Sequence, residues 1–192
     1  MNEDWIAEVV ESGTTGFVAE CRRLHEAPPF GALVRVPSAD RVLFGLVIQV
    51  ATRSLEPYRR PTAYGKTEAQ LQAEHPQIFE LLRTEIEALL LGYAEGSRRY
   101  TLLPPQPPRL HSFVYECRPE EVKSFTDSLD FLRLIFSSGR ANTDELLIAA
   151  ARTAVAAHAD DPFYPVRLGQ ELARLLKDDY DRLSALLRRI AS

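Results

Sequence analysis

The sequence has few of the residues from which metal and redox sites are built. Its 192 residues include two cysteines and four histidines, and none of them lies at the short spacing that a zinc site uses. We therefore expect no bound metal and no cofactor. Cys21 and Cys117 lie in strand-like segments, and we interpret them as buried thiols, with a redox pair as the alternative.

Long apolar runs are also absent. The apolar stretches are short, such as residues 88–93 and 146–151, and fall well short of the roughly 20 apolar residues that a membrane-spanning helix needs. The first ten residues are acidic and lack the basic start and apolar core of a secretion signal. We therefore expect a cytoplasmic protein with no membrane partner.

There is no excess of basic charge. The formal net charge is −4, with 13 basic and 17 acidic side chains in residues 1–122 and 10 of each in residues 123–192. No overall positive field would therefore draw the chain onto nucleic acid or an anionic membrane.

The first part of the chain alternates as β-strands do. Phe17, Ala19 and Cys21 fall on one face of a strand. Residues 41–53 are too apolar for a strand buried on one side only. Gly45 lies within that run and predicts a bulge or bend of the kind that lets a strand curve round a small barrel.

Helical patterns follow. Residues 67–70 form a capping box, and apolar residues recur at helical spacing from Ile78 to Leu90 until Gly92. Beyond Pro119 the pattern is helical throughout. It predicts one long last helix over residues 165–190, with an apolar stripe that faces either the barrel or a partner.

Residues 104–108 contain four prolines between two strand-like segments, residues 98–103 and 110–117. Proline lacks an N–H and fixes φ, so this stretch fits neither a helix nor a central strand. We predict a stiff connector that bridges two barrel strands.

Together these patterns predict an α+β fold: a small closed β-barrel with a helical insertion, followed by a C-terminal helical region. The predicted barrel domain covers residues 1–118, with the insertion at about 67–92. The helical region covers residues 119–192.

One triplet imitates a nucleotide-binding motif. Gly65, Lys66 and Thr67 open a helix as the end of a phosphate-binding loop would, but that loop needs a further glycine where this chain has Arg60. We therefore interpret Thr67 as a capping residue. No nucleophile elbow or acid–base pair stands out, so we expect no catalytic residues and no enzyme. An unfamiliar active site in a cleft between barrel and helices remains the alternative.

Adjacent arginine pairs occur four times among acidic residues, where such pairs usually serve solubility. Two pairs flank the predicted insertion: Arg59 with Arg60, and Arg98 with Arg99. The hypothesis is that these four side chains lie close together and contact phosphate or an acidic partner.

The order of these segments resembles the HAS-barrel family, the small barrel at the N-terminus of HerA-type DNA-translocating ATPases and of ATP synthase α and β subunits. The resemblance spans roughly residues 4–136. Its segments, in order, are IAEVVES, TTGFVAECR, FGALVRV, VLFGLVIQV, HPQIFELL and LLPPQPPRLHSFVYEC, which leads into LDFLRLIF. The motor domain in which that family's catalysis resides has no counterpart in this sequence, so the resemblance carries over no catalytic residue.

The resemblance implies a non-enzymatic assembly or docking protein. Its expected partner is a HerA-like ATPase or a nuclease, with nucleic acid reached through the complex and self-association into an oligomer possible. The alternative is a barrel that binds nucleic acid itself, through aromatic side chains on a basic face. Against that alternative, we expect Phe17, Phe113 and Tyr115 to point into the barrel.

Overall fold

The computed structural model describes residues 4–56 and 61–191. It confirms the predicted α+β fold, in which a closed antiparallel β-barrel of six strands is joined to a set of helices. The strands are β1 Ala7–Ser12, β2 Gly16–Cys21, β3 Leu33–Ser38, β4 Arg41–Ser54, β5 Leu82–Glu95, β6 Arg98–Tyr100 and β7 Phe113–Glu116.

The barrel closes because β5 pairs on both sides. Around the ring the order is β2, β1, β7, β3, β4 and β5, and β5 then pairs with β2. The short strand β6 pairs with β5 alone and lies outside the ring. Strands β4 and β5 shift register between Phe44 and Gly45, but the extra residue there, Leu91, lies in β5. The bulge predicted in β4 is present three residues beyond Gly45, at Ile48.

The described part of the chain contains seven helices. They are α1 Glu68–Glu74, α2 Gln77–Glu80, α3 Pro119–Thr126, α4 Phe131–Phe136, α5 Thr143–Ala157, α6 Tyr164–Leu175 and α7 Tyr180–Ala191. The capping box predicted at the start of α1 is present, since the Thr67 hydroxyl accepts the Gln70 N–H and the Gln70 side chain accepts the Thr67 N–H. Pro119 occupies the first turn of α3, as predicted.

The predicted helix over residues 78–92 is wrong for most of its length, because residues 82–95 form strand β5. The interior of the barrel buries one face of β5, including Ile86 and Leu90. A second apolar layer buries the other face, including Leu89 and Leu91. Burial on both faces removes the alternation that marks a strand in a sequence. The helical part of the insertion is therefore limited to α1 and α2.

Small and β-branched side chains fill the barrel interior. Gly45 faces this interior, and a Cβ added to it would lie 3.2 Å from the ring of Phe17 and 3.3 Å from the Cβ of Ala88. The glycine thus leaves room for an aromatic ring in a narrow barrel. The buried interior residues are Ala7, Val9, Phe17, Ala19, Cys21, Ala32, Val34, Val36, Leu43, Val47, Ile86, Ala88, Leu90 and Val114.

The C-terminal helices cover the outer face of β3, β4 and β5. Phe44 of β4 stacks on Phe125 of α3, with ring centroids 4.6 Å apart. Leu46 and Ile48 of β4 belong to the same buried layer, together with Leu147 of α5. The double-sided burial of β4 explains why its sequence is too apolar for a strand with one wet face.

A buried ion pair holds α3 on the barrel. Arg35 of β3 is 7% exposed, and its Nε lies 3.1 Å from a carboxylate oxygen of Glu121. The Arg35 guanidinium also lies 4.8 Å from the centroid of the Tyr115 ring. The pair therefore fixes where the first helical turn meets the sheet.

The prediction of one long last helix is wrong. The chain forms α6 and α7, separated by residues 176–179. The Asp179 carboxylate accepts the N–H of Arg182 at 3.1 Å, so this residue marks the start of α7. The apolar stripe of both helices packs within the molecule, since Leu168, Leu172 and Leu186 are buried in the layer beside the barrel.

The proline-rich segment joins β6 to β7, so only one of its two ends is a strand of the ring. β5, the neighbour of β6, and β7 stand three places apart in a ring of six strands. The segment thus links opposite walls of the barrel. Pro104 and Pro108 are buried along it, and the hydroxyl of Ser12 donates to the Pro108 carbonyl.

Candidate functional site

The most exposed part of the fold is the arm, which we define as residues 49–54 of β4, residues 82–84 of β5 and the insertion at residues 55–81. The two strands pair without interruption to the end of the arm, where Ser54 lies opposite Leu82. Beyond it the Leu55 N–H donates to the Leu81 carbonyl at 2.8 Å. Residues 57–60 of the insertion lie outside the described part of the chain.

The helices of the insertion bury no side chain, although they contain apolar residues. Neither α1 nor α2 has a buried residue. Tyr64 is 47% exposed and Leu81 39%, and with Ile78 they line a small cleft of about 70 Å³. The strands of the arm add Val50, which is 41% exposed. The arm therefore concentrates apolar surface on an element that adds nothing to the core.

A polar cluster supports the base of the arm. The hydroxyls of Thr52 and Thr84 lie 2.9 Å apart on paired strands, and Thr84 accepts the backbone N–H of His25 at 2.9 Å. The Glu85 carboxylate lies 3.0 Å from the Nε of Arg83. These contacts tie the loop after β2 to the arm and hold the first part of the arm against the barrel.

The hypothesis that four arginines lie close together stays a prediction. Arg59 and Arg60 lie outside the described residues, so their position carries no test of the hypothesis. Arg98 and Arg99 are exposed on β6, and within residues 4–56 and 61–191 neither has an ion-pair partner. The Arg99 guanidinium lies 5.7 Å from the centroid of the Phe44 ring.

Two tyrosines share the hairpin with these arginines. Tyr93 of β5 and Tyr100 of β6 are paired across the strands, and their rings stack with centroids 4.9 Å apart. The Arg41 guanidinium lies 5.6 Å from the Tyr93 ring and its Nε 2.6 Å from the Glu95 carboxylate. This end of the barrel thus presents aromatic rings beside the exposed arginines of β6.

The prediction that Phe113 and Tyr115 point into the barrel is wrong, whereas Phe17 does point inward. Phe113 is 44% exposed and stacks on Trp5, with ring centroids 4.9 Å apart. The Arg22 guanidinium lies 5.0 Å from the Trp5 ring. Val114, between the two aromatic residues, takes the interior position, so the alternation of β7 is shifted by one residue from the prediction.

Trp5 separates two open clefts of about 310 Å³ each, at one end of the barrel. Arg22 lines both of them. The charged groups of the first cleft pair among themselves, since Arg22 lies 3.6 Å from Asp4 and Arg23 lies 3.1 Å from Glu26. The Trp5 ring itself is in contact with Phe113 and Arg22.

The triplet resembling a phosphate-binding loop serves as a helix cap. Gly65 has a positive φ of 65° in the turn before α1, and the Thr67 side chain caps the helix. The Lys66 ammonium pairs with the Glu74 carboxylate at the other end of the same helix. These contacts account for the three residues through local structure.

The two cysteines are buried and unpaired with each other, as predicted. Cys21 belongs to the barrel interior and Cys117 to the layer beneath the helices. Burial is the main cause that raises the pKa of Cys21 to about 11 and that of Cys117 to about 12. Both thiols therefore stay protonated at neutral pH, which makes them poor nucleophiles.

His158 is the one buried histidine in the described part of the chain. Its ring stacks on Tyr164 with centroids 3.7 Å apart, and its Nε2 lies 3.1 Å from the Thr126 hydroxyl. That hydroxyl donates to the Val122 carbonyl, so Nε2 is the donor toward Thr126. Burial lowers the pKa of His158. The cluster joins α3, α5 and α6 as a satisfied core feature.

Residues 4–56 and 61–191 contain no group of three or more histidine, cysteine, aspartate or glutamate residues that could hold a metal ion. In the same ranges no helix is both long enough and apolar enough to cross a membrane.

Neither a protein-family model nor a curated protein matches this chain. The resemblance to the HAS-barrel family therefore rests on the order of its segments. The arm was not predicted from the sequence. The feature that could have indicated it is a change of pattern within β4, from the mostly apolar residues 41–48 to the more polar residues 49–54.

Proposed function

We propose that this chain is a non-enzymatic docking protein that binds a protein partner through the insertion of its arm. The observation that carries the proposal is the contrast in burial within the molecule. Strands β4 and β5 are buried on both faces where they form the barrel. By contrast α1 and α2, carried on the same two strands, contain no buried residue, and only Leu71, Ile78 and Phe79 are partly covered among their apolar residues.

Short helices gain most of their stability from packing. α1 has seven residues and α2 has four, lengths at which an isolated helix is marginal in water. Tyr64 and Leu81 leave apolar surface exposed beside them. A partner that covers these side chains would bury apolar area and stabilise both helices, which favours binding at this place.

The partner that we propose is a HerA-like ATPase or a nuclease of a DNA-processing complex. This choice rests on the resemblance to the HAS-barrel family, whose barrels accompany such motors. The fold supports the architecture that the resemblance implies, a closed barrel followed by helices, but the same fold can serve many functions.

The geometry of the arm allows a clean deletion. Leu55 and Leu81 form a hydrogen-bonded pair at the end of the ladder, so residues 56–80 can be replaced by Asn-Gly, which makes a two-residue hairpin turn. The test is gel filtration of the protein with a purified HerA-like ATPase from the same organism. Wild type should co-elute with the ATPase, and the arm-deleted variant should elute separately.

Two outcomes would contradict the proposal in different ways. Co-elution that survives deletion of residues 56–80 would show that docking does not use the insertion. A wild-type chain that never co-elutes would remove the ATPase as the partner. A double variant, Tyr64→Ser with Leu81→Ser, serves as the finer test, because it changes only exposed side chains.

A second candidate function is nucleic-acid binding through the hairpin of β5 and β6. It is favoured by Arg98 and Arg99, which are exposed without an ion-pair partner in the described ranges, beside the stacked rings of Tyr93 and Tyr100. Single strands bind where cations lie beside aromatic rings. The net charge of −4 opposes such binding.

Fluorescence anisotropy separates the two candidates. We expect no appreciable binding of labelled single-stranded or duplex DNA at moderate salt. Salt-sensitive binding that disappears when Arg59, Arg60, Arg98 and Arg99 are all changed to glutamate would instead support the second candidate. A variant with four other exposed arginines changed to glutamate, Arg109, Arg133, Arg152 and Arg188, makes the same change of net charge and is the control.

A further inference from the structure

The arm has an open β-sheet edge. Residues 49–54 of β4 pair with β5 on one side, and no strand of the described ranges pairs with them on the other. β3 covers the first half of β4. Its ladder ends where Gly31 donates to the Val47 carbonyl at 2.8 Å and Val47 donates to the Ala32 carbonyl at 2.9 Å. Pro28 and Pro29 lie just before Gly31 in the sequence, and neither pairs with β4.

The register shows which backbone groups face that edge. The Leu55 N–H donates to Leu81, and hydrogen-bonded positions alternate along an antiparallel pair. Residues 51, 53 and 55 therefore turn their backbone groups toward β5. Val50, Thr52 and Ser54 turn their N–H and C=O groups toward the open edge, where no backbone group of the described residues bonds to them.

Little in the arm protects this edge. Natural edge strands are usually shielded by proline, by several charges or by being very short. Residues 49–54, Gln-Val-Ala-Thr-Arg-Ser, contain one charged residue and no proline. Val50 and Thr52 are both exposed. Such an edge can accept a further strand.

We propose that the open edge of β4 pairs with the same edge of a second copy of this chain, in an antiparallel, two-fold symmetric contact. The backbone groups of Val50, Thr52 and Ser54 all face the open edge, so two copies can form hydrogen bonds in a register centred on Thr52. In it Thr52 lies opposite Thr52 of the second copy, Val50 lies opposite Ser54, and Ala51 lies opposite Arg53.

The charges and the available length favour this register. Arg53 faces the small neutral Ala51, and its charge lies 3.8 Å from the Glu85 carboxylate of its own chain. A register centred on Arg53 would place two guanidinium groups directly opposite each other, which is unfavourable. In the Thr52 register the strand of the second copy runs alongside β4 only as far as the residue after Val47. It therefore does not compete with Gly31 and Ala32, which already bond to the backbone of Val47.

This contact does not depend on the proposed docking function. The pairing uses the edge of β4, whereas docking uses the side chains of the insertion. Self-association of the purified chain alone tests the former, and binding to the ATPase tests the latter. Either can fail without the other.

The first test measures the mass of the wild-type chain by sedimentation equilibrium from roughly 1 µM to 1 mM, a range suited to a small contact. We expect a reversible monomer–dimer equilibrium. A chain that stays monomeric over the whole range would overturn the proposal.

The second test uses charge at the two-fold axis. Thr52→Glu places two carboxylates opposite each other and Thr52→Lys two ammonium groups, so each variant alone should raise the dissociation constant by about fivefold or more. An equimolar mixture of the two should restore dimers, each with one copy of each variant. Thr62→Glu, at another exposed threonine of the arm, is the matched control and should dimerise as wild type does.

Undiminished association of both Thr52 variants, or a mixture that remains monomeric, would overturn the proposal. Hydrogen exchange is measured on the wild type, so its result cannot be confused with misfolding of a variant. The N–H groups of Val50, Thr52 and Ser54 should gain protection as concentration rises, while those of Ala51 and Arg53 should be protected throughout. Equal exchange of the first three amides at low and high concentration, in a sample that contains dimers, would place the contact elsewhere and refute this register.

Discussion

Strands β4 and β5 belong to two very different regions of the molecule. Inside the barrel their side chains fill two separate apolar clusters, one in the interior and one beneath the helices. In the arm, residues 49–54 and the insertion are largely exposed where they are described, and α1 and α2 contain no buried residue. One pair of strands thus belongs to the packed core at one end and carries a largely exposed surface at the other.

The two regions therefore carry different constraints. A substitution in either apolar cluster changes the free energy of unfolding, because close-packed interiors respond to a single methylene group. A substitution in the insertion has few contacts to lose.

Phe125→Ala should cost about 3–5 kcal/mol of unfolding free energy, because it leaves a cavity in the layer between barrel and helices. Phe125 is 1% exposed and stacks on Phe44. Urea denaturation measures the change. Phe163→Ala is the control at an aromatic residue that is 69% exposed, and it should change stability by about 0.5 kcal/mol or less. Equal effects of the two variants would contradict the assignment of this layer as core.

Gly45→Val should cost about 1–3 kcal/mol, because the added methyl groups overpack the barrel interior against Phe17 and Ala88. Gly45→Ala should cost less, since its single Cβ already meets those neighbours at 3.2 and 3.3 Å but adds no further atoms. Thermal unfolding followed by circular dichroism ranks the series. A valine variant as stable as wild type would mean that the interior has unfilled space.

Stability should fall as the pH is lowered from neutrality, in part through His158. Burial holds its pKa in the fold below the ordinary value of 6.5, so the unfolded chain binds the proton more tightly. The loss begins as the pH falls below about 6.5 and continues down to the folded pKa. Urea denaturation at pH 7.5 and 5.5 should show a smaller loss for His158→Gln than for wild type. His75→Gln, in the insertion, should keep the wild-type loss, and a loss unaffected by His158→Gln would exclude this residue as its source.

Leu71→Ala, in α1, should change the unfolding free energy by about 0.5 kcal/mol or less, because α1 has no buried residue. The same change at Leu147, which is fully buried in α5, should cost about 2–5 kcal/mol. Parallel urea curves for the two variants and wild type give both values. A large loss for Leu71→Ala would mean that the insertion packs against the rest of the fold.

Local signals in the sequence identified much of the architecture. The capping box at Thr67 and the first-turn Pro119 each act through bonds to near neighbours, and each is present in the structure. A bulge in β4 was also predicted, and it lies at Ile48, three residues beyond Gly45. The buried cysteines followed from their place in alternating strands. Such features can be predicted because their physical cause lies within a few residues of the sequence.

Features decided by distant contacts were mispredicted. β5 was predicted as helix because burial on both faces, by the barrel interior and by the C-terminal helices, hides its alternation. The break between α6 and α7 was missed because Asp179 resembles any exposed helical residue until its bond to Arg182 is seen. For the candidate site, the cluster of four arginines stays a prediction, because Arg59 and Arg60 lie outside the described residues. The arm could be recognised only from the pairing of β4 with β5.

The most direct test of whether the insertion lies outside the structural core is the stability of the variant in which Asn-Gly replaces residues 56–80. Its unfolding free energy in urea should be within about 1 kcal/mol of wild type, with a similar dependence on denaturant, because no described residue of the insertion belongs to either apolar cluster. A loss of several kcal/mol, or a variant that fails to fold, would show that the insertion is part of the structural core and would contradict its assignment as a docking element.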